Sequence, residues 1–227
     1  MAHPIKLGAG ILLAAVALAA PAQADPAVYT YRVEHPTFGD IGTYTNAVER
    51  IGDRTHVETS LHVLIRLLGI AVYRQDATRT EEWRAGRLAS FHSVTYTNGD
   101  PIEVTGNAIG DNFVITTPSG VTQVAADVHP SNPWSANVLQ SSLMMSTKTG
   151  KVYDVRVTGG EETPVTLDGA VFHLHQYVIQ GPHRDVVWLD DRGVPVAFRA
   201  DDNGKPIDFV LESPAPTGDL SQQSAAH

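Results

Sequence analysis

The chain has 227 residues, a formal net charge of −9, 42% hydrophobic side chains and no cysteine. An acidic chain without a basic stripe repels phosphate backbones, which excludes nucleic acid as a partner. The missing cysteines exclude disulfides, thiol catalysis, cysteine-ligated zinc and iron–sulfur clusters, while the apolar share and the length suit one all-β domain with a real core.

Residues 1–24 read as a secretory leader. Lys6 supplies a short positive start, Leu7 to Ala20 is an apolar run of 14 residues, and Ala22-Gln23-Ala24 has the small-x-small form of a signal-peptidase site. The run falls short of the roughly 20 residues that span a bilayer as a helix. Cleavage is therefore expected, with a soluble mature protein starting at Asp25 in the periplasm or outside the cell and at most peripheral membrane contact. Residues 25–212 read as a single β domain. Residues 213–227 mix Pro, Gly, Ser, Gln and Ala and read as a disordered tail.

From Val28 onward, short apolar alternations separated by turn pairs replace helical periodicity. Tyr29, Tyr31 and Val33 share one face of a first strand; Val57, Leu61, Val63 and Ile65 share one face of a long third one. Leu61 to Tyr73 is the most apolar stretch after the leader, and at Leu67-Leu68-Gly69-Ile70 the alternation fails. Burial in a central strand is the expectation there; exposed, the same residues form a lip, flanked by Arg66 and Arg74, for a membrane or a partner. Glu81 and Glu82 are adjacent on a strand and face opposite ways, so they do not form an acid–base pair; a cross-strand ion pair with Arg79 or Arg87 is expected instead.

Asn98-Gly99 and Asn203-Gly204 suit type I′ hairpins, and Gly110-Asp111, Asp168-Gly169 and Asp191-Arg192-Gly193 punctuate further strand pairs. Trp83 and Trp188 each precede an Asn-Gly pair by the same spacing, an echo that fits a duplicated three-strand unit or chance. Between the two copies, Pro130-Ser131-Asn132-Pro133-Trp134 stops any ladder. The spacing of Val138, Leu139, Ser142, Leu143 and Met145 then predicts one amphipathic helix over 135–146, capped by Asn132 or Ser135. The predicted architecture is an all-β, large antiparallel curved meander or open barrel of roughly a dozen strands, covered by that helix.

Chemistry-bearing motifs are sparse. His173 and His175 stand at i and i+2, the one local pair with metal-ligand spacing, but no third ligand is placed; the polar face of a half-exposed strand, with Phe172 and Leu174 turned inward, is the simpler reading, so no metal or cofactor is assigned. No Gly-x-Ser-x-Gly elbow, phosphate loop, dinucleotide fingerprint or His-Glu-x-x-His occurs. Trp83, Trp134, Trp188 and Tyr73 are the candidate ligand-binding residues, since apolar pockets are rich in aromatics; Trp134, after the proline loop, suits a mouth, while for Trp83 and Trp188 core packing is the simpler reading.

Phe38 to Thr43, Glu82 to Leu88, Ser131 to Trp134, Thr147 to Gly150 and Trp188 to Gly193 resemble the DUF6134 family of exported bacterial proteins of unknown function, which is similar to the DUF3108 group. More distantly, the closing strand–turn–strand of Trp188 to Leu211 resembles periplasmic lipoprotein carriers of the LolA and LolB type. That likeness implies an unclosed barrel whose concave, covered face holds acyl chains; the lipidated cysteine of LolB is missing here. The function expected is a non-catalytic envelope module that binds a lipid or other apolar small molecule. A structural or protein-interaction role and a hydrolase with a cryptic site are the alternatives.

Overall fold

The computed structural model describes residues 26–202 and 204–212. The residues expected to form a leader and a tail, and Asn203 of the second Asn-Gly pair, lie outside that range.

Burial of period two runs along the first strands because one face meets the core and the other meets water. Strand β1 (Ala27–His35) buries Tyr29, Tyr31 and Val33; β2 (Gly39–Ile51) buries Ile41, Tyr44, Asn46 and Val48. In β3 (Arg54–Leu67) the inward set is Val57, Thr59, Leu61 and Val63, and in β4 (Ile70–Arg84) it is Ala77, Arg79, Glu81 and Trp83. The meander continues through β5 (Arg87–Thr97), β6 (Asp100–Ile109), β7 (Asn112–Thr117) and β8 (Gly120–Ala125).

An insertion then leaves the sheet. It holds β9 (His129–Pro130), a 3-10 helix (Ala136–Gln140), β10 (Leu143–Met145) and β11 (Val152–Asp154), with the three strands forming their own small sheet. The second meander follows as β12 (Arg156–Leu167), β13 (Ala170–Gln180), β14 (Arg184–Leu189), β15 (Pro195–Asp202) and β16 (Lys205–Leu211). Antiparallel pairing of β1 with β16, Tyr31 opposite Leu211 and Val33 opposite Phe209, fuses the two meanders into one 13-stranded sheet. The sheet is not closed: β8 and β12 are its two ends. The all-β antiparallel architecture predicted from the alternation is thus observed.

Two expectations are corrected. The helix predicted over 135–146 is a 3-10 helix of 5 residues, so the cover is the small sheet with its loop rather than a helix. Ser135 is the cap, accepting from the Asn137 N–H at 3.2 Å. The run stops because the Ser141 hydroxyl turns back on the chain, accepting from the Leu143 N–H at 3.0 Å and donating to the Leu143 carbonyl at 2.6 Å. Such a local bond competes with continued helix and releases Leu143–Met145 into a strand. Secondly, Leu67-Leu68-Gly69-Ile70 is not buried: it is a hairpin tip, with Leu68 95% exposed at φ 51° and Gly69 at φ 82°. Strands β3 and β4, at 14 and 15 residues, outrun the 11 of β5 and carry their shared turn beyond the core.

Two glycines let the layers close. A Cβ on Gly106 of β6 would lie 2.3 Å from the ring of Phe113 on β7. Gly150, between β10 and β11, adopts φ +70° and sits against Thr117, Val104 and Ile115, where a Cβ would meet Thr117 at 2.6 Å. There the cover seats on the first meander.

Candidate functional site: a cavity under the cover and its polar floor

Register places a polar row across the interior. Asn46 pairs with Thr59, Thr59 with Arg79 and Arg79 with Ser93, so four neighbouring strands present polar side chains at one level of an otherwise apolar face. The cover docks on this row. The Ser93 hydroxyl donates to the Thr147 carbonyl at 2.7 Å, and Thr59 donates to Asn46 at 2.7 Å. Asn132 of the cover uses its whole amide: Nδ2 donates to Thr59 Oγ1 at 3.1 Å and to Glu81 Oε1 at 2.8 Å, while Oδ1 accepts from the Tyr44 hydroxyl.

Glu81 is fully buried at the centre of this network. Its Oε2 accepts the indole N–H of Trp83 and that of Trp134, each at 2.9 Å, and the two rings meet edge to face at 5.8 Å. Burial pushes the Glu81 carboxyl above the usual carboxylate range, against the opposing pull of its N–H donors and of Arg79. Burial likewise pushes Tyr44 up to about 12, which keeps its hydroxyl a donor. The exposed cross-strand pair expected for Glu81 is therefore replaced by a buried carboxylate that pins the cover; Glu82, on the other face, bonds His56 at 2.5 Å.

Beside this network lies a cavity of about 490 Å³ between the sheet and the cover. Its buried floor includes Tyr44, Arg79 and Asn132; exposed Lys151, Pro182 and His183 stand at its rim. The two flanks differ. The β13–β16 flank carries Ile179, Val187 and the stacked pair Phe198 and Phe209 at 4.2 Å, with Asp185, Arg199 and Asp201 on the same strands. On the β4 flank, Lys148 donates to Gln75 at 3.2 Å and Arg79 lies with its guanidinium 6.0 Å from the Tyr44 ring. Asp185, whose carboxyl burial pushes up, lines the cavity with Asp201.

The four aromatic residues singled out from the sequence all stand off this lining. Trp83 and Trp134 are buried, joined through Glu81. The Tyr73 hydroxyl donates to Gln75 at 2.6 Å, next to a separate depression near Asn98. Trp188 sits on the strand face opposite Val187, donating to Gln176 at 3.1 Å. Trp83 and Trp188 thus occupy different faces of their strands, although both copies of the echo form strand, turn, strand, hairpin, strand. His173 and His175 each meet a separate carboxylate, Glu162 at 3.0 Å and Asp191 at 3.1 Å, and among the described residues no group of three candidate ligands converges. Phe172 is 42% exposed rather than inward, whereas Leu174 is buried.

Sequence reasoning missed Arg79, Asn132 and Tyr44 as site residues. The signal was parity: Gln75, Ala77, Arg79, Glu81 and Trp83 alternate along β4, so one inward tryptophan places all five inside.

Residues 39–212 match the family model described as a domain of unknown function, DUF6134. No curated protein matches the chain. Among solved structures, a beta-barrel-like protein of domain of unknown function DUF1849 from Brucella abortus aligns with a TM-score of 0.61 at 10% identity, over 83% of this chain and 96% of that one. At that identity the likeness is one of fold alone. A DUF1089 family protein from Pseudomonas aeruginosa aligns over 81% of this chain and 95% of that one, at 10% identity, with a TM-score of 0.35 that carries no argument.

Proposed function

We propose that this chain, which belongs to the DUF6134 family, is a non-catalytic binding module that holds a lipid-like or other apolar small molecule between its curved sheet and the cover. The cavity carries the reading. Its volume of about 490 Å³ falls in the roughly 300–1,000 Å³ range of small-molecule sites, and its walls combine apolar side chains with a few placed polar groups. Removal of apolar ligand surface from water, at about 25 cal/mol per Å², supplies the driving force. The leader-like residues 1–24 support the cell envelope as the place of work, with the mature chain starting at Asp25.

Native mass spectrometry of the protein from its own host, followed by lipid extraction, tests this. A co-purifying small molecule that is absent from a Val138→Trp variant, which fills the cavity from the cover, is the expected result. A protein that carries nothing and takes up no apolar probe after delipidation would overturn the reading.

A role in surface or protein contact is the second reading, favoured by one observation. The β3–β4 tip exposes Leu67, Leu68, Ile70 and Val72 beside Arg66 and Arg74, a combination suited to peripheral contact with an anionic surface.

A further inference from the structure

Arg79 is the group in the cavity that its surroundings leave unanswered. Its side chain is 8% exposed, its Nε is fully buried without a hydrogen-bond partner, and no ion pair with it occurs among the described residues. What it has is the face of Tyr44, with the guanidinium 6.0 Å from the ring centroid. Glu81, two residues along the same strand face, attracts it but makes no ion pair with it: its oxygens take Asn132, Trp83 and Trp134 at 2.8, 2.9 and 2.9 Å. A guanidinium carries five N–H donors in a rigid fork and does not lose its proton in proteins. With its Nε buried and unpaired it is costly to the empty protein, and an oxyanion that accepts two of its N–H groups side by side is the group that best answers it.

The surroundings add sign and shape. The chain as a whole is acidic, at −9, yet Lys148 and Lys151 line the same cavity as Arg79, and Lys148 is held there by Gln75 at 3.2 Å. Arg199 contributes less, since Asp208 takes it at 2.5 and 2.8 Å. Asp185 and Asp201 lie on β14 and β15, across from β4, and burial favours the neutral form of Asp185. Across from Arg79 stand Ile179, Val187 and Phe198.

We infer that the ligand is an anionic amphiphile, its acid headgroup, a carboxylate or phosphate monoester, seated on Arg79 and its chain laid along the apolar residues Ile179, Val187 and Phe198 of the β13–β16 flank. The inference rests on the binding reading above and narrows it: the apolar chain gives affinity, and the buried arginine selects for acid.

The test uses the delipidated full chain and four probes of one chain length: dodecanoate, dodecyl phosphate, dodecanol and methyl dodecanoate, titrated by calorimetry. At least one acid should bind about tenfold or more tighter than the alcohol and the ester, the factor one charge-assisted bidentate contact supplies. The tighter of the two acids identifies the headgroup. Arg79→Gln should bring acid and alcohol within about a factor of two of each other. Because the buried Nε of Arg79 has no acceptor in the empty protein, Arg79→Met should raise the urea midpoint of the apo form; a lower midpoint would make Arg79 a structural residue and overturn the assignment. Acid, alcohol and ester binding equally to the wild type would overturn the acid selectivity and leave the carrier reading standing. Binding of none of the four would overturn both.

Discussion

Arg79 and Glu81 stand two residues apart on the inner face of β4, and the fold treats them in opposite ways. Glu81 receives three N–H donors at 2.8–2.9 Å, two of them from the cover, while the buried Nε of Arg79 receives no acceptor. One charge is consumed in fastening the cover to the sheet. The other is left facing the space that fastening creates.

Removing the carboxylate should loosen the cover. Glu81→Ala strands the indole N–H groups of Trp83 and Trp134 and one amide hydrogen of Asn132 in a dry interior, a cost of about 3–5 kcal/mol. Asn132→Ala alone also strands Tyr44 and Glu81. The two changes break one network, so the double variant should be less destabilised than the sum by about 1–3 kcal/mol. Urea denaturation of the four proteins measures this cycle; simple additivity would show that the residues act independently.

The same carboxyl should leave a mark on the pH dependence of stability. Burial raises the native pKa of Glu81 above its unfolded value, so the folded state holds this proton more tightly than the unfolded chain. Its contribution is fully present below the ordinary carboxylate range and is lost as pH rises through the raised native value. The difference in unfolding free energy between wild type and Glu81→Gln should therefore shrink as pH rises over that window. A constant or growing difference would reverse the assignment.

Packing between β6 and β7 gives a sharper geometric test. Gly106→Ala drives a methyl to within 2.3 Å of the Phe113 ring and should cost about 1–3 kcal/mol, since that ring is fully buried and has nowhere to move. Phe113→Leu in the same chain should recover part of the loss. Thermal unfolding of the single and double variants reads both effects.

At the β3–β4 tip the expectation runs the other way. Leu68 holds φ 51° while 95% exposed, so it has backbone strain and little packing to offset it. Leu68→Asn, which tolerates that conformation better, should stabilise by about 0.5–1 kcal/mol. A destabilised variant would mean that Leu68 makes contacts its exposure does not suggest.

How legible all this is in the sequence varies by kind of signal. Alternation in β1 to β4 and the Asn98-Gly99 and Asp168-Gly169 turns announce the antiparallel sheet, because period-two burial and positive-φ pairs are local properties of the chain. The cover is harder. Leu139, Ser142 and Leu143 lie at helical spacings, yet the Ser141 hydroxyl bonded to Leu143 decides against a helix, and periodicity does not register one such bond. The site was hardest of all. Polarity argues for an exposed Glu81 and Arg79, and only the parity they share with Ala77 and Trp83 argues for burial. Trp83 and Trp134 point to the right neighbourhood as aromatics, but their indole N–H groups, not their ring faces, define their place.

The pairing of β1 with β16 puts the first and last strands side by side inside the sheet, with Tyr31 opposite Leu211. During synthesis, the meander from β1 to β8 can assemble as it emerges, since each strand follows its neighbour. The free edge of β1 then has to wait for β16, exposing unpaired N–H and C=O groups of the kind that template aggregation. The seam is the longest-range strand pairing among the described residues, the kind of contact that slows folding. A nascent chain of this protein is thus most open to aggregation along one particular edge, and stays so until β16 has been made.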